Sequence, residues 1–455
     1  MRRHDVLVIG AGSGNAVIDD SFADLDVAIV AEGPFGGTCL NSGCIPSKML
    51  SRTAEVVEEI RESGIYDVDA ELRRVRWLDV RERVFGRLDR VRDEGRRGRE
   101  KSDFVTVYTG HARFIGARRL RLELADGPVD VEADQVVIAA GARPLVPAVV
   151  ADSGLPYETS ETIMRVDRPP RRLAVLGGGY IAAELSQVFA SVGSEITIVE
   201  KSDSLLASLD ESLSAAYTGL AAERFDVRLG RELTRLEGAP GELRLVLDDG
   251  LTVEADALLV AAGRIPNGDR LDLAAAGIEV HADGRIVVDG CQRTSAEGVF
   301  ALGDVCTPIQ LKHVANREAH AVAHNLRHPG DPRGAEHDVV PAAVFTRPQI
   351  ATVGRTEQNC RDAGLDYVVG TARYADVAYG WALEDETGFC KVLAERRTGR
   401  LLGAHIMGPQ VPTLIQSLVL AMTVGIDARA LATRPYWIHP ALTEVVENAL
   451  LRLDG

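Results

Sequence analysis

Twice in this chain an apolar run stops at a glycine-rich turn, and a second apolar run comes after it and stops at an acid. The first copy is Asp5-Val6-Leu7-Val8-Ile9 leading into Gly10-Ala11-Gly12-Ser13-Gly14-Asn15, with Val27-Ala28-Ile29-Val30 ahead of Glu32. The second is Leu173-Ala174-Val175-Leu176 leading into Gly177-Gly178-Gly179-Tyr180-Ile181-Ala182, with Ile196-Thr197-Ile198-Val199 ahead of Glu200. Short apolar runs without polar alternation are strands buried on both faces, as in a parallel sheet. A parallel strand needs a crossover, and a helix is expected after each turn. Glycine allows a tight turn and lets a pyrophosphate approach the backbone N–H groups at the start of that helix. An acid about twenty residues further on is placed for a ribose hydroxyl. Glu32 lies 22 residues after Gly10. Gly177, Gly179 and Ala182 fit G-x-G-x-x-G/A, whereas Asn15 replaces the third glycine of the first copy. One glycine turn alone is weak evidence. Two complete units predict an α/β protein with two dinucleotide sites, one for a flavin nucleotide and one for a nicotinamide nucleotide.

Three more strands end in small residues: Ile138-Ala139-Ala140-Gly141, Leu259-Val260-Ala261-Ala262-Gly263-Arg264 and Val299-Phe300-Ala301-Leu302-Gly303-Asp304. Each lets backbone approach a ligand, and the last adds an acid. Residues 83–101, rich in Arg and Glu, are expected as a solvated helix face. Residues 328–341 are rich in Pro, Gly and Asp and read as a linker, with a last unit beginning at Val344. The chain carries 51 Lys and Arg against 67 Asp and Glu, a net charge of −16, which argues against a nucleic-acid partner. No uninterrupted apolar run reaches the ~18 residues of a membrane span. Met1-Arg2-Arg3-His4-Asp5 runs straight into the first strand, so a cytoplasmic location is expected.

Six cysteines in 455 residues are too few for a secreted disulfide framework. Cys291, Cys306, Cys360 and Cys390 are scattered and are expected as small buried thiols. Cys39 and Cys44 stand apart, in Gly36-Gly37-Thr38-Cys39-Leu40-Asn41-Ser42-Gly43-Cys44-Ile45-Pro46-Ser47-Lys48. Two cysteines at this spacing can be bridged if their Cα atoms come within about 7 Å. A metal would need further Cys or His ligands at suitable spacing, and none lies nearby, so no metal site is expected. A catalytic disulfide is the favoured reading.

Cys39-x4-Cys44 followed by Ile45-Pro46-Ser47-Lys48, set between two nucleotide turns, resembles the pyridine nucleotide–disulfide oxidoreductase family over essentially the whole chain. Four stretches resemble its mycothione-reducing branch most closely: Gly12–Asn15, Leu311–Asn316, Asp376–Trp381 and Tyr436–Asn448. The resemblance implies two Rossmann-like dinucleotide-binding domains and a C-terminal α+β dimerisation domain. Residues 1–145 would bind FAD and residues 146–268 NAD(P). Residues 269–336 would return to the FAD domain, and residues 337–455 would form the interface of a homodimer.

By the same resemblance, hydride passes from the nicotinamide to FAD, and electrons pass on to a Cys39–Cys44 disulfide. Cys39 would attack the substrate disulfide, and Cys44 would lie against the flavin as its charge-transfer thiolate. Lys48 and Glu184 match an ion pair near the flavin, Tyr180 a gate of the nicotinamide pocket, Asp304 a holder of the ribityl chain, and Arg264 a nicotinamide-nucleotide contact. Further cofactor-binding positions are Gly10, Gly12, Ser13, Gly14, Glu32, Gly37, Thr38, His111, Ala140, Gly141, Gly177, Gly179, Ala182, Glu200, Lys201 and Gly263. His439 and Glu444 match an acid–base dyad that reaches the cysteines of the other subunit. A departing thiolate must be protonated, and imidazole titrates in the right range. Glu444 would orient the ring, and an imidazolium near Cys39 is expected to lower that thiol's pKa.

Glu200 puts a carboxylate where a ribose 2′-OH would sit, which suits NADH and repels the 2′-phosphate of NADPH. Lys201 is the one cation next to it, and the family's second arginine position is Ala207. NADH is therefore expected to be preferred over NADPH. Aligned on Cys39, the family's FAD-ribose acid falls at Ala31, one residue before Glu32. Reductases of glutathione disulfide offer arginines on the first helix, where this chain has Asp19 and Asp20. Acids there disfavour an anionic disulfide and favour mycothione, a sugar-bearing one, with lipoamide as the rival. The last cysteine is Cys390, so the extra C-terminal thiol pair of mercuric and large thioredoxin reductases is missing. A redox sensor that does not turn over is the other class, and the presence of both cysteines, His439 and Glu444 argues against it.

Overall fold

In the computed structural model, which describes residues 1–454, the strand Arg2–Ile9 lies at the centre of the first sheet. It pairs in parallel with Val27–Ala31 on one side and Gly127–Ile138 on the other. Val105–Gly116 and Val299–Ala301 extend these flanks, also in parallel. Arg119–Leu124 folds back antiparallel between Val105–Gly116 and Gly127–Ile138. Val6–Ile9 and Val27–Ala31 are buried throughout, as strands covered on both faces must be. Connections leave the central strand in opposite directions, so a crevice opens at the carboxyl ends of Arg2–Ile9 and Gly127–Ile138.

The second unit has four parallel strands in the order Ala257–Val260, Arg172–Leu176, Glu195–Val199, Asp226–Arg228. An antiparallel meander, Leu233–Ala239, Glu242–Leu247 and Thr252–Ala255, packs against it. The chain enters and leaves this unit along two short antiparallel strands, Ala142–Pro144 and Arg264–Pro266. The last unit is a five-stranded antiparallel sheet, Pro341–Val344, Gln349–Gly354, Leu401–Gly408, Phe389–Glu395, Tyr367–Arg373, packed against helices Val411–Val424 and Thr443–Leu451. Among the described residues no helix is long and apolar enough to cross a membrane.

The first glycines of the two turns do the same mechanical work. Gly10 has φ +109° and Gly177 φ +114°, and a Cβ there would stand 2.2 Å from the Ala139 carbonyl oxygen and 2.4 Å from that of Ala261. Only glycine fits either place. The two turns lead into different structures. After the second runs the 12-residue helix Tyr180–Ser191. After the first, the expected helix does not form: Ser13–Ala16 and Asp20–Phe22 are isolated 3-10 turns. Residues 13–26 hold four Asp, two Ser, Gly, Asn and two β-branched residues, a poor helical composition. The Asp19 carboxylate accepts hydrogen bonds from Ser21 N–H at 2.9 Å and Ser21 Oγ at 2.5 Å, giving the backbone a local alternative to helix. Asp19 and Asp20 therefore stand exposed on an irregular segment, not on a first helix.

Buried charges pin the second unit to the last. Asp210 caps the helix Glu211–Arg224 and is fully buried. Its carboxylate accepts from Lys391 Nζ at 2.8 Å, Glu357 N–H at 2.8 Å and Ser212 Oγ at 2.6 Å. Lys391 also pairs with Glu357 at 2.6 Å. Burial alone would push Asp210 up, but these bonds override it and hold the carboxyl well below the ordinary range. A second buried acid, Glu318 in the helix Lys312–Arg327, accepts Gly303 N–H at 2.6 Å. Its other oxygen lies 3.1 Å from His337 Nε2 without hydrogen-bond geometry. Burial pushes the Glu318 carboxyl up to about 7.

Both acids can be tested through stability. Lys391→Met leaves two carboxylates without their cation and is expected to cost about 3–5 kcal/mol in denaturant unfolding. Adding Asp210→Asn should recover part of that loss, and a cost under about 1 kcal/mol would show the strut to be idle. Glu318 ionises near 4.3 in an unfolded chain, so between roughly pH 4.5 and 7 the folded state binds the extra proton. Wild-type stability should therefore fall across that window, by on the order of 3 kcal/mol more than in Glu318→Gln. Urea midpoints at pH 5 and pH 7.5 measure the difference.

Candidate active site

A cleft of about 910 Å³ runs along the carboxyl ends of the first sheet, near the top of the ~300–1,000 Å³ range of ligand pockets. The turn Gly10–Ser13, the segment Gly36–Thr38, Ala139–Arg143 and Leu302–Asp304 line it. A Cβ on Gly37 would stand 2.7 Å from Gly12 Cα, so two stretches of bare backbone meet here. Glu32 lines the same cleft and accepts from Arg270 Nη2 at 2.6 Å, with His111 Nδ1 at 3.2 Å. Burial opposes its charge, but Arg270 and His111 outweigh that and hold Glu32 below the usual carboxylate range. Ala31 ends the buried strand Val27–Ala31. Asp304 and Arg264 face each other at 3.9 Å, and burial raises the Asp304 carboxyl. A glycine cradle, an anchored acid and a dithiol in one cleft fit a flavin dinucleotide.

The redox pair sits where two helices meet. Cys39 lies in the short helix Gly37–Asn41, and Cys44 opens the 18-residue helix Cys44–Arg61. Both are thiols in this structure. The neighbouring Cys44 side chain, together with burial, pushes the Cys39 thiol up. The reciprocal interaction with Cys39 brings Cys44 down to about 7. Burial opposes the Cys44 shift, while Lys48 supports it. Lys48 Nζ donates to both oxygens of Glu184, at 2.9 and 2.8 Å. Glu184, on the helix Tyr180–Ser191, is buried and also accepts Phe345 N–H at 3.0 Å. Tyr180 shares the cleft and is exposed to it.

Not every candidate residue meets in this cleft. Thr38, Ala140, Gly141, Gly179, Lys48, Glu184 and Arg264 line it, whereas Gly14, Gly177, Ala182, Glu200, Lys201 and Gly263 do not. Glu200 lies over the second turn, where a Cβ on Gly178 would come within 2.8 Å of its Cγ. Its carboxylate accepts Ser202 N–H at 2.7 Å. Arg228 and Arg231, which bracket its backbone, spend their guanidinium groups on Asp226 at 2.8 Å and Asp249 at 2.5 Å. Lys201 is exposed and makes no ion pair among the described residues.

His439 Nδ1 and Glu444 Oε1 are 2.8 Å apart, and Glu444 also accepts Ala441 N–H at 3.2 Å. The His439 side chain is 72 % exposed and stands outside the cleft. One chain alone therefore does not bring this dyad to the cysteines, and the depressed thiol within the chain is that of Cys44, not Cys39. Arg270 and Lys312 line the cleft although neither stands out as a site residue in the sequence. Lys312 had a local signal, in Leu311–Asn316, while Arg270 had none. Cys306, Cys360 and Cys390 are buried, and Cys291 is half-buried.

Residues 4–319 match the pyridine nucleotide-disulphide oxidoreductase family, and residues 340–450 match its dimerisation domain. The chain is 47 % identical to a mycothione reductase of Mycobacterium tuberculosis, covering all of both chains. It is 34 % identical to a dihydrolipoyl dehydrogenase of Halobacterium salinarum, over 98 % of this chain and 95 % of that one. The structure resembles that of the HOCl-induced flavoprotein disulfide reductase RclA from Escherichia coli, with a TM-score of 0.88 and 25 % identity over 99 % of each chain. With both regions of the family matched in order along one chain, and relatives aligned from end to end, the chain belongs to the pyridine nucleotide–disulphide oxidoreductases, a family of flavoprotein disulfide reductases.

Proposed function

We propose that this enzyme reduces mycothione to mycothiol with NADH, as a homodimer with FAD in the first cleft. The carrying observation is the Cys39/Cys44 dithiol beside the Lys48–Glu184 pair, with a ready-made His439–Glu444 dyad facing outward from the same chain. FAD, when bound, relays two electrons from the nicotinamide to the cysteines. Cys44, already inclined to the thiolate by the Cys39 hydrogen bond and by Lys48, sits on the flavin side. Cys39 holds the proton within its own chain, and His439 of the partner subunit removes it. The Cys39 thiolate then attacks one sulfur of the substrate disulfide. The substrate S–S bond breaks, and the departing thiolate takes the proton back from the imidazolium. The Cys44 thiolate next attacks Cys39 Sγ; the mixed disulfide breaks, the internal disulfide is restored, and the second half leaves as a thiolate that takes a proton from solvent through His439 of the partner subunit. Glu444 holds the imidazole ring in place for both transfers.

A division at residues 145, 268 and 336 is supported by the paired crossing strands Ala142–Pro144 and Arg264–Pro266 and by residues 328–340, which carry no helix or strand. The unpaired buried thiols support the cytoplasm as the working compartment. Mycothione is supported by the 47 % identical relative. NADH is supported by Glu200 over the second turn and by the pairing of Arg228 and Arg231 with acids.

Purified enzyme should oxidise NADH steadily with mycothione as acceptor, and Cys39→Ser should abolish turnover while NADH still bleaches the flavin once. Turnover with lipoamide and none with mycothione would move the assignment to a dihydrolipoyl dehydrogenase. Wild type should favour NADH over NADPH by at least about tenfold in kcat/KM, roughly 1.4 kcal/mol. Glu200→Gln should shrink that ratio, and equal efficiency in the wild type would overturn the NADH assignment.

A further inference from the structure

The two glycine turns handle anionic charge differently. At the second, the helix Tyr180–Ser191 starts directly after Gly179 and aligns its peptide dipoles behind the turn. At the first, the turn is succeeded only by four residues of 3-10 helix, Ser13–Ala16, so no such dipole accumulates. Two cations converge there instead. Arg99, near the end of the helix Trp77–Glu100, has exposed neighbours but turns its own guanidinium inward. Its Nε donates to Asn15 Oδ1 at 2.8 Å, and its Nη2 to the carbonyls of Asn15 at 2.8 Å and Ile18 at 2.6 Å. A regular helix would have bonded those carbonyls internally. From the cleft side, Lys312 Nζ donates to Ser13 Oγ at 3.0 Å and to Asn316 Oδ1 at 2.5 Å.

We propose that Arg99 and Lys312 replace the missing helix: they hold the Gly12–Asn15 backbone and supply the positive charge that the diphosphate of FAD requires. This rests on the first cleft being the FAD site. Arg99 acts through the turn and is a positioning residue, whereas Lys312 faces the ligand space. An arginine in this role resists substitution by lysine, because only the planar fork reaches an amide oxygen and two carbonyls together.

The test uses apo-protein stripped of flavin, with FAD affinity read by flavin fluorescence. ADP and adenosine compete against FAD, and their ratio isolates the diphosphate from the adenine and ribose. Arg99→Ala is expected to weaken FAD at least tenfold and to erase most of the preference for ADP over adenosine. NADH affinity at the second turn should not change. Lys312→Met should likewise reduce the ADP preference, and Arg99→Lys should recover only part of it. If Arg99→Ala does not fold, Arg99→Gln keeps donors for the carbonyls without charge, and it too should lose the preference. Unchanged FAD affinity and ADP preference in the Arg99 and Lys312 variants would overturn the proposal. A wild-type protein that binds no FAD at all would instead overturn the reading of the first cleft.

Discussion

One buried carboxylate ties three units together. Glu184 belongs to the second nucleotide unit, its ion-pair partner Lys48 to the cysteine helix of the first, and its other partner, Phe345 N–H, to the last. A charge this deeply buried is tolerable only with all its partners in place, because desolvation is costly and removing one partner exposes the full cost. The arrangement of the units therefore cannot relax without breaking the most expensive contact at the site. The same contact sets local chemistry. The Cys39 hydrogen bond lowers the Cys44 thiol and burial opposes it, while Lys48 adds to the lowering and Glu184 works against it.

The internal duplication gives a controlled comparison of what a glycine turn needs. Gly10 and Gly177 share nearly the same φ and press against equivalent carbonyls at the end of a neighbouring strand. The steric demand is thus a property of the turn. The helix behind it is not, since one copy has it and the other uses distant side chains. Chain segments with the same backbone task can meet it with local dipoles or with cations borrowed from 84 residues or more away.

Features legible in the sequence are those encoded within a few residues. Buried parallel strands announce themselves as unbroken apolar runs, and the positive-φ glycines and the Cys39-x4-Cys44 segment are equally local. The His439–Glu444 pair is also local, five residues apart, and forms as expected. At residues 13–26 two local signals compete: the βαβ pattern asks for a helix, but four aspartates oppose it and the hydrogen bonds of Asp19 prevail. Arg270, Arg99 and Glu318 are illegible for a different reason. Each acts on a segment that only the tertiary fold brings near, Arg270 reaching Glu32 across 238 positions. Glu32, just past the end of the buried strand, lines the cleft together with Ala31.

The paired strands Ala142–Pro144 and Arg264–Pro266 show that the second unit is inserted into the first at a single seam. That has a consequence for biosynthesis. The edge strand Val299–Ala301, with Gly303 and Asp304 behind it, docks on Gly127–Ile138, which left the ribosome some 160 residues earlier. At about 5–20 residues per second, the gap is roughly ten to thirty seconds. During that interval the inserted unit can complete its own sheet, while the first sheet waits with an open edge and an unfinished cleft. The first cleft, although encoded from Gly10 onward, therefore cannot close until the inserted unit has been synthesised.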